Sequence, residues 1–230
     1  MAAINPKKIK MNVDIYTFDE KELAALNRLL LDGRGRIYPF KAAFYHDYVQ
    51  PDLLRVWCNK NARYGVVTRE LLDWLLEQIN HRTALEIGAG MGDLGSHLGI
   101  PMTDSYQQVD NPETKITMQA CLQTPTRPPS NVLKANAQNA VLQFKPAVVI
   151  GSWITQHWLP GDEEGNMHGP REEQILKNCE TYIHIGNENV HGNKRILKLP
   201  HETYKFPWLI SRAKDPTKNV IWVWHNQKSK

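Results

Sequence analysis

The fold of this chain is decided by the stretch Ala84-Leu85-Glu86-Ile87-Gly88-Ala89-Gly90-Met91-Gly92-Asp93-Leu94, where an acid closes an apolar run and glycine then occupies every second position. This order predicts a buried strand over 83–87, a tight turn, and a short helix over 93–98. Ligands of open α/β sheets bind at the carboxyl ends of the strands, so the turn is a candidate ligand site.

Strand and helix patterns alternate on both sides of this turn. Before it, a helix is predicted to begin after Thr68, a residue type that caps helices. After it, the sequence predicts a helix over 170–179 and strands over 106–109, 131–134, 146–151 and 181–186. Two more strands, 196–199 and 219–225, are expected to pair antiparallel. Such alternation predicts an α/β fold with a mostly parallel sheet.

The first part of the chain shows helical patterns without strands. Leucines at helical spacing predict an amphipathic helix over 19–32. Aromatic residues over 38–48 predict a second helix that starts at Pro39. We therefore divide the chain into a helical extension over 1–65, which we expect to act as a lid, and a ligand-binding domain over 66–230.

Composition argues against several classes of protein. The chain has 230 residues and a net charge of +4. Its longest apolar run, 147–154, is too short to span a bilayer, and the N-terminus lacks the apolar segment of a secretory signal. The odd number and wide spacing of the cysteines argue against a disulfide framework or a zinc site: Cys58, Cys121 and Cys179. We therefore expect a cytoplasmic protein with no metal and no membrane contact.

The positive charge is modest and is spread along the chain. Small basic clusters occur at Lys7-Lys8-Lys10, Lys194-Arg195-Lys198 and Lys228-Lys230. Basic clusters can attract nucleic acid through its phosphates, so nucleic acid remains possible as a partner. Because each cluster is short, we favour a solvated surface over a dedicated nucleic-acid face.

The spacing of the glycines argues against a phosphate ligand. Dinucleotide folds place their third glycine three positions after the second, where a helix N-terminus approaches a pyrophosphate. Here that position holds Asp93, whose carboxylate at the helix start would repel a phosphate. No Lys-Ser or Lys-Thr pair follows the turn, which also disfavours a P-loop.

The segment from Glu86 to Gly92 resembles the first motif of the class I S-adenosylmethionine-dependent methyltransferases. The resemblance implies a three-layer sandwich whose seven-stranded, mostly parallel sheet is closed by an antiparallel C-terminal strand. It also implies an enzyme that binds S-adenosylmethionine, with the glycine backbone next to the methionine part of the cofactor and the acid near its amino group. The residues implicated in this way are Glu86, Gly88, Ala89, Gly90 and Gly92.

Later positions extend the resemblance. An acid about twenty residues after a glycine turn can accept both ribose hydroxyls, and Asp110, just after the predicted strand 106–109, has that place. An Asp before Asn-Pro is also a common turn residue. Asn136, with the backbone of Ala137, resembles the position that binds the adenine amino group. Ser152, at the end of the predicted fourth strand, is assigned to the same cofactor site.

The methyl acceptor is expected beside the end of the fourth strand, where an aromatic segment with a histidine follows. We assign Trp153, Trp158 and Tyr64 to the walls of the acceptor pocket, because aromatic faces suit flat substrates and cations. His157 is the first candidate for a general base, since imidazole titrates near neutrality. Glu188, after the strand 181–186, is the second candidate.

The segment after the fourth strand lacks two acceptor motifs of nucleic-acid enzymes. It contains neither the Asp-or-Asn-Pro-Pro-aromatic motif of amino-methylating enzymes nor the cysteine nucleophile of cytosine C5 enzymes. We therefore expect methyl transfer to a small molecule. Methylation of RNA, DNA or protein is an alternative, and so is a non-catalytic binding or structural module with the same fold. The oligomeric state is left open.

Overall fold

The computed structural model describes residues 19–162 and 164–226. Its strands are β1 (Ala84–Ile87), β2 (Met102–Asp104), β3 (Leu133–Lys134), β4 (Val148–Ser152), β5 (Thr181–Asn187), β6 (Glu202–Tyr204) and β7 (Asn219–His225). They form one seven-stranded sheet in the order β3-β2-β1-β4-β5-β7-β6. Strands β1 to β5 run parallel, and β7 is antiparallel to both β5 and β6.

The direction of strand order reverses at β1, which pairs with β2 on one side and with β4 on the other. Ligands of doubly wound sheets bind at such a switch point, outside the carboxyl ends of the strands. The glycine turn follows β1 directly. The predicted α/β fold, with a mostly parallel seven-stranded sheet and an antiparallel C-terminal strand, is confirmed.

Helices surround this sheet and also build the N-terminal part of the chain. They are α1 (Glu20–Leu30), α2 (Ala42–Tyr48), α3 (Pro51–Lys60), α4 (Arg69–Ile79), α5 (Asp93–Leu98), α6 (Gln107–Asp110), α7 (Pro112–Ala120), α8 (Ala137–Phe144), α9 (Glu172–Leu176) and α10 (Glu188–His191). As predicted, Thr68 caps α4, and its hydroxyl accepts the Leu71 N–H. Among the described residues, no helix is long and apolar enough to cross a bilayer.

Each face of the sheet is covered by apolar side chains, because alternate strand residues point to opposite faces. On one face Val148 and Ile150 of β4 pack in a cluster with Leu75 of α4. On the other face Val149 packs in a cluster with Val141 of α8. Burial on both faces explains why the central strands are continuous apolar runs in the sequence.

The strand predicted over 106–109 is wrong. The second strand lies earlier in the chain, and the predicted stretch forms α6 instead. Gly99 ends α5 in the left-handed conformation at φ 66°, so the chain returns to the sheet at once. The Asp104 carboxylate then accepts the Tyr106 N–H at 2.7 Å. This local hydrogen bond ends the strand in a turn despite the strand-forming residues that follow.

The strand predicted over 196–199 is also wrong. This segment is part of a 3₁₀ turn, Arg195–Lys198, which buries Ile196. The Ile196 carbonyl accepts the indole N–H of Trp224 at 3.1 Å, so the apolar side chains enter the core without a strand. The strand that pairs with β7 at the edge of the sheet is β6, which follows Pro200.

The described part of the N-terminal extension consists of α1, α2 and α3, packed around an apolar cluster of their own. The aromatic helix begins at Ala42 rather than at Pro39. The Glu70 carboxylate of α4 accepts the Ala42 N–H at 3.0 Å and so satisfies one of the first N–H groups of this helix. Pro51 opens α3, which the sequence patterns did not reveal.

A buried ion pair joins this extension to the glycine turn. Nε of Arg63 lies 3.0 Å from the carboxylate of Asp93, and both side chains are less than a tenth exposed. The same carboxylate accepts the Ile37 N–H at 2.8 Å. Arg63 also donates to the Gly35 carbonyl at 2.7 Å. Asp93 is therefore compensated by residues of the extension.

We predict that Arg63→Met lowers the free energy of unfolding by about 3–5 kcal/mol, because it leaves the Asp93 carboxylate buried without its cation. Urea denaturation measures this loss. The matched control is Lys60→Met, which removes the exposed Lys60–Glu20 ion pair and should cost less than about 1 kcal/mol. Equal losses in the two variants would show that the buried pair does not hold the extension in place.

Candidate functional site

A cavity of about 670 Å³ opens at the carboxyl ends of β1, β2 and β4, at the switch point of the sheet. We call it the switch-point cavity. Its volume falls within the roughly 300–1,000 Å³ that is usual for small-molecule sites. Residues that line it include Tyr64, Glu86, Gly88, Ala89, Gly90, Asp104, Gln107, Ser152, Trp153 and His168.

The glycine turn brings bare backbone to the cavity. Gly88, Gly90 and Gly92 all have positive φ, between 54° and 71°, a region that other residues rarely adopt. A Cβ atom on Gly88 would lie 2.4 Å from the Ile154 side chain. Of the three glycines, Gly88 and Gly90 line the cavity, whereas Gly92 caps α5 behind it.

Glu86 lies in the floor of the cavity with 2% of its surface exposed. Its Oε2 accepts the Gly95 N–H at 2.8 Å. Burial raises its pKa to about 8, and the nearby carboxylates of Asp93 and Asp104 act in the same direction. The side chain is therefore poised to ionise when a positive group binds next to it.

The acid at the end of β2 is Asp104, and sequence reasoning missed it. It lines the cavity, and burial raises its pKa. Its Oδ2 accepts the Gly90 N–H at 3.0 Å, which ties the acid to the glycine turn. Asp110, the predicted residue, is not among the described residues that line the cavity; it lies at the surface in an ion pair with Lys134 at 2.6 Å.

The predicted adenine position is only partly at the cavity. Asn136 is exposed, and its side-chain oxygen accepts the Asn139 N–H at 2.8 Å, which caps α8. Ala137 and the adjacent Gln138 line the cavity instead. Gln107, which sequence reasoning did not single out, also lines it and has a buried side-chain oxygen with no partner in the described part of the chain.

Acids outnumber free cations around the cavity. Its described lining contains four carboxylates, which belong to Glu86, Asp93, Asp104 and Glu113. Arg63 is the one Lys or Arg in that lining, and it is engaged with Asp93. The electrostatics therefore favour a ligand with positive charge over a phosphate.

Ser152, Trp153 and Tyr64 lie on the side of the cavity where β4 ends. Trp153 has a φ of 58°, and its N–H donates to the Ile185 carbonyl at 2.8 Å. The rings of Tyr64 and Trp153 have centroids 6.4 Å apart and planes 25° from parallel. The structure thus brings together three of the residues that the sequence assigned to the cofactor and acceptor sites.

The structure does not bring His157, Trp158 or Glu188 to the lining of the cavity that the described residues form. His157 donates its N–H to Pro170 and accepts from the Arg195 side chain at its carbonyl, which holds it away. Glu188 pairs with two lysines across β7, and their charges hold its pKa below the usual range.

His168 is the histidine that lines the cavity. Its Nε2 lies 3.1 Å from the Asn111 side-chain nitrogen, so it spans from the loop after β4 to the start of α7. The sequence around His168 gives no sign that this residue lines the cavity, because its place there depends on how the loop after β4 folds back. It replaces His157 as the candidate for a general base.

The lid and the basic clusters were further expectations. Of the aromatic residues over 38–48, Phe40, Phe44 and Tyr45 pack in the cluster of the extension, Tyr38 and Tyr48 are exposed, and the described lining of the cavity contains none of the five. Within the extension, the residues from Ala62 to Gly65 line the cavity. The role of the extension as a lid stays a prediction. Lys194 is buried against Glu172 at 2.8 Å, so it adds no charge to the surface. The clusters at 7–10 and 228–230 lie outside the described residues.

Comparisons with known proteins give weak likenesses. No protein-family model matches the chain, and no curated protein does. A protein from Staphylococcus aureus, provisionally assigned as a caffeoyl-CoA O-methyltransferase, aligns with 80% of the chain and 95% of its own length at 12% identity and a TM-score of 0.38. A Thermoplasma acidophilum protein aligns with 70% of the chain and 90% of its own length at 14% identity and a TM-score of 0.35. Because these TM-scores lie below 0.5, the function must be argued from the site itself.

We predict that Gly92→Ala destabilises the protein more than Gly99→Ala does. Both residues have positive φ, so both variants carry the same backbone strain. A Cβ on Gly92 would lie 2.8 Å from Val132, whereas one on Gly99 meets nothing within 4 Å. The difference in unfolding free energy, measured in urea, should be about 1–3 kcal/mol. Equal effects would mean that packing behind the turn is not tight.

Proposed function

We propose that this protein transfers a methyl group from S-adenosylmethionine to an acceptor. One observation carries the proposal: a glycine turn at the switch point lies between the buried carboxyl of Glu86 and the half-buried carboxylate of Asp104, and the described lining of the cavity has no unpaired Lys or Arg. S-adenosylmethionine is positively charged at sulfur and at its amino group and bears no phosphate. Its charges complement this cavity, whereas those of a dinucleotide do not.

The residues of the cavity fit each part of the cofactor. Glu86 would hold the amino group, and Asp104 would accept the two ribose hydroxyls. The bare backbone at Gly88 and Gly90 leaves room for the methionine part. The side-chain oxygen of Gln107, which has no partner among the described residues, would accept the adenine amino group, a role that the sequence assigned to Asn136.

Catalysis in this proposal is mainly alignment. When bound, S-adenosylmethionine supplies a methyl group on a positively charged sulfur, and the acceptor's lone pair takes the methyl while the sulfur keeps the electrons of the broken bond. The glycine turn and the two acids hold the donor, and Tyr64 and Trp153 place the acceptor. Fixed geometry of this kind removes much of the entropic barrier. His168 would take the acceptor's proton where one is lost.

The first test compares the two acids by titration calorimetry with S-adenosylmethionine. We predict that Asp104→Ala weakens binding by about ten- to a hundredfold, the usual cost of losing hydrogen bonds to a charged group. Asp110→Ala is the matched control, because Asp110 lies at the surface, and it should change affinity less than about twofold. Asp104→Asn, which keeps one acceptor oxygen, should fall between them.

The outcomes separate the candidate functions. Absence of binding by the unaltered protein would contradict the proposal and leave a binding or structural module that does not use this cofactor. Loss of affinity in Asp110→Ala rather than in Asp104→Ala would move the ribose site back to the residue that the sequence indicated. Urea denaturation of each variant separates lost affinity from lost folding, since Asp104 also holds the glycine turn.

The second test uses the raised pKa of Glu86, about 8. At pH 7 this side chain is mostly protonated in the free protein. A bound cation favours its ionised form, so S-adenosylmethionine should release roughly one proton. Above about pH 9 the group is already ionised and the release should vanish. Calorimetry in buffers of different ionisation enthalpy measures it, and Glu86→Gln should abolish it. Unchanged release in that variant would place the proton on another group.

A further inference from the structure

Two aromatic rings line the cavity where β4 ends. They bear on the identity of the methyl acceptor, a question that rests on the proposed function. Tyr64 precedes α4 and Trp153 follows β4, yet both line the switch-point cavity. Their centroids are 6.4 Å apart and their planes are 25° from parallel. We call them the Tyr64–Trp153 pair. Two nearly parallel rings from separate elements form a surface on which a flat ring can stack.

The Tyr64 ring is fixed before any ligand binds. The Arg212 guanidinium lies 3.9 Å from the centroid of the ring. Arg212 is held in turn by the side-chain oxygens of Asn59 and Gln123, at 3.1 and 3.2 Å. The Tyr64 hydroxyl accepts from Gln108 at 3.3 Å. A ligand that stacks here does not have to order the ring, which favours binding.

Trp153 is fixed as well, in a conformation that costs energy. Its φ of 58° lies in a region that large side chains rarely adopt. The indole packs edge-on against the buried His191 ring at 5.4 Å. Backbone strain of this kind persists only where the surroundings hold it, and it occurs preferentially at ligand sites.

The charges around the pair restrict the acceptor further. Arg63, the one Lys or Arg in the described lining, is paired with Asp93. Arg212 packs against the Tyr64 ring but is not among the described residues that line the cavity, so that lining offers an anionic acceptor no unpaired Lys or Arg. A nucleic-acid backbone would lack a phosphate partner for the same reason. The loop above the cavity supplies neutral groups, such as the Asn166 amide, which is bonded to Thr155.

We propose that the methyl acceptor is a small, uncharged aromatic compound with an O–H or N–H group, stacked on the Tyr64–Trp153 pair. Stacking supplies the affinity, and the loop residues that line the cavity include no Lys or Arg to bind a carboxylate or a phosphate. The ring then lies beside the end of β4, where the donor methyl is expected. The acceptor class follows from the two rings and from the lack of an unpaired Lys or Arg in the described lining of the cavity.

Three probes with the same carbon skeleton test this acceptor class. Naphthol is flat and neutral, naphthoate is flat and anionic, and decahydronaphthol is neutral but not flat. Binding is measured by calorimetry and by saturation-transfer NMR on protein already saturated with S-adenosylhomocysteine, whose own affinity is determined first. We expect naphthol to bind about tenfold more tightly than either of the others, the usual scale of one stacking contact.

Variants link the binding to the two rings. Tyr64→Leu and Trp153→Leu should each lose about tenfold in naphthol affinity. Tyr64→Phe, which keeps the ring, should lose little. Trp158→Leu is the matched control, because Trp158 lies in the same segment but outside the described lining of the cavity. Thermal denaturation of every variant identifies any that fail to fold. If Trp153→Leu fails to fold, the comparison of Tyr64→Leu with Trp158→Leu still tests the proposal.

The outcomes are distinct. Equal affinity for decahydronaphthol would overturn the stacking argument, and tighter binding of naphthoate would overturn the neutral class. Binding that Trp158→Leu abolishes and Tyr64→Leu leaves intact would move the site out of the cavity. Failure of S-adenosylhomocysteine to bind, with naphthol still bound at the pair, would contradict the proposed function while leaving the aromatic site in place.

Discussion

Glu86 Oε2 accepts the Gly95 N–H at 2.8 Å, and this hydrogen bond holds the helix after the glycine turn against the strand before it. The first N–H groups of any helix lack partners within the helix. Gly92, which caps α5, has no side chain to offer, so a residue of β1 takes that role. A Cβ on Gly95 would lie 2.7 Å from Glu86 Oε2. Position 95, in the first turns of α5, therefore needs glycine for the helix to lie this close to the strand.

The same contact shapes the electrostatics of the cavity. The hydrogen bond to Gly95 of α5 keeps the Glu86 side chain in the floor of the cavity, close to the carboxylates of Asp93 and Asp104. Burial there favours the protonated form of Glu86. Asp93 is paired with Arg63. Among the described residues that line the cavity, no Lys or Arg is paired with Glu86. A positively charged ligand would lower the electrostatic cost of ionising Glu86, whereas a phosphate would raise it.

The sequence predicted the strand, turn and helix on the glycine-turn side of the cavity well because they are built from local patterns. A strand, three glycines and a helix start are contiguous in the chain, and the structure places them as expected. Asp104 was missed because its own side chain ends β2 early through the Tyr106 N–H. Asn136 is not among the described residues that line the cavity, and its side-chain oxygen caps α8 instead. In both cases one local hydrogen bond outweighed the pattern of residue types.

The loop after β4 was predicted less well because contacts with distant residues decide which of its side chains line the cavity. Arg195 donates its N–H to Gln156 and its guanidinium to the His157 carbonyl, both at 2.9 Å. These bonds direct the loop so that His168 rather than His157 reaches the cavity, and no spacing near either histidine encodes them. Trp153 lines the cavity because it follows β4 directly. A loop held by contacts from another part of the chain can change its acceptor while the glycine turn stays the same, which is how one fold serves many substrates.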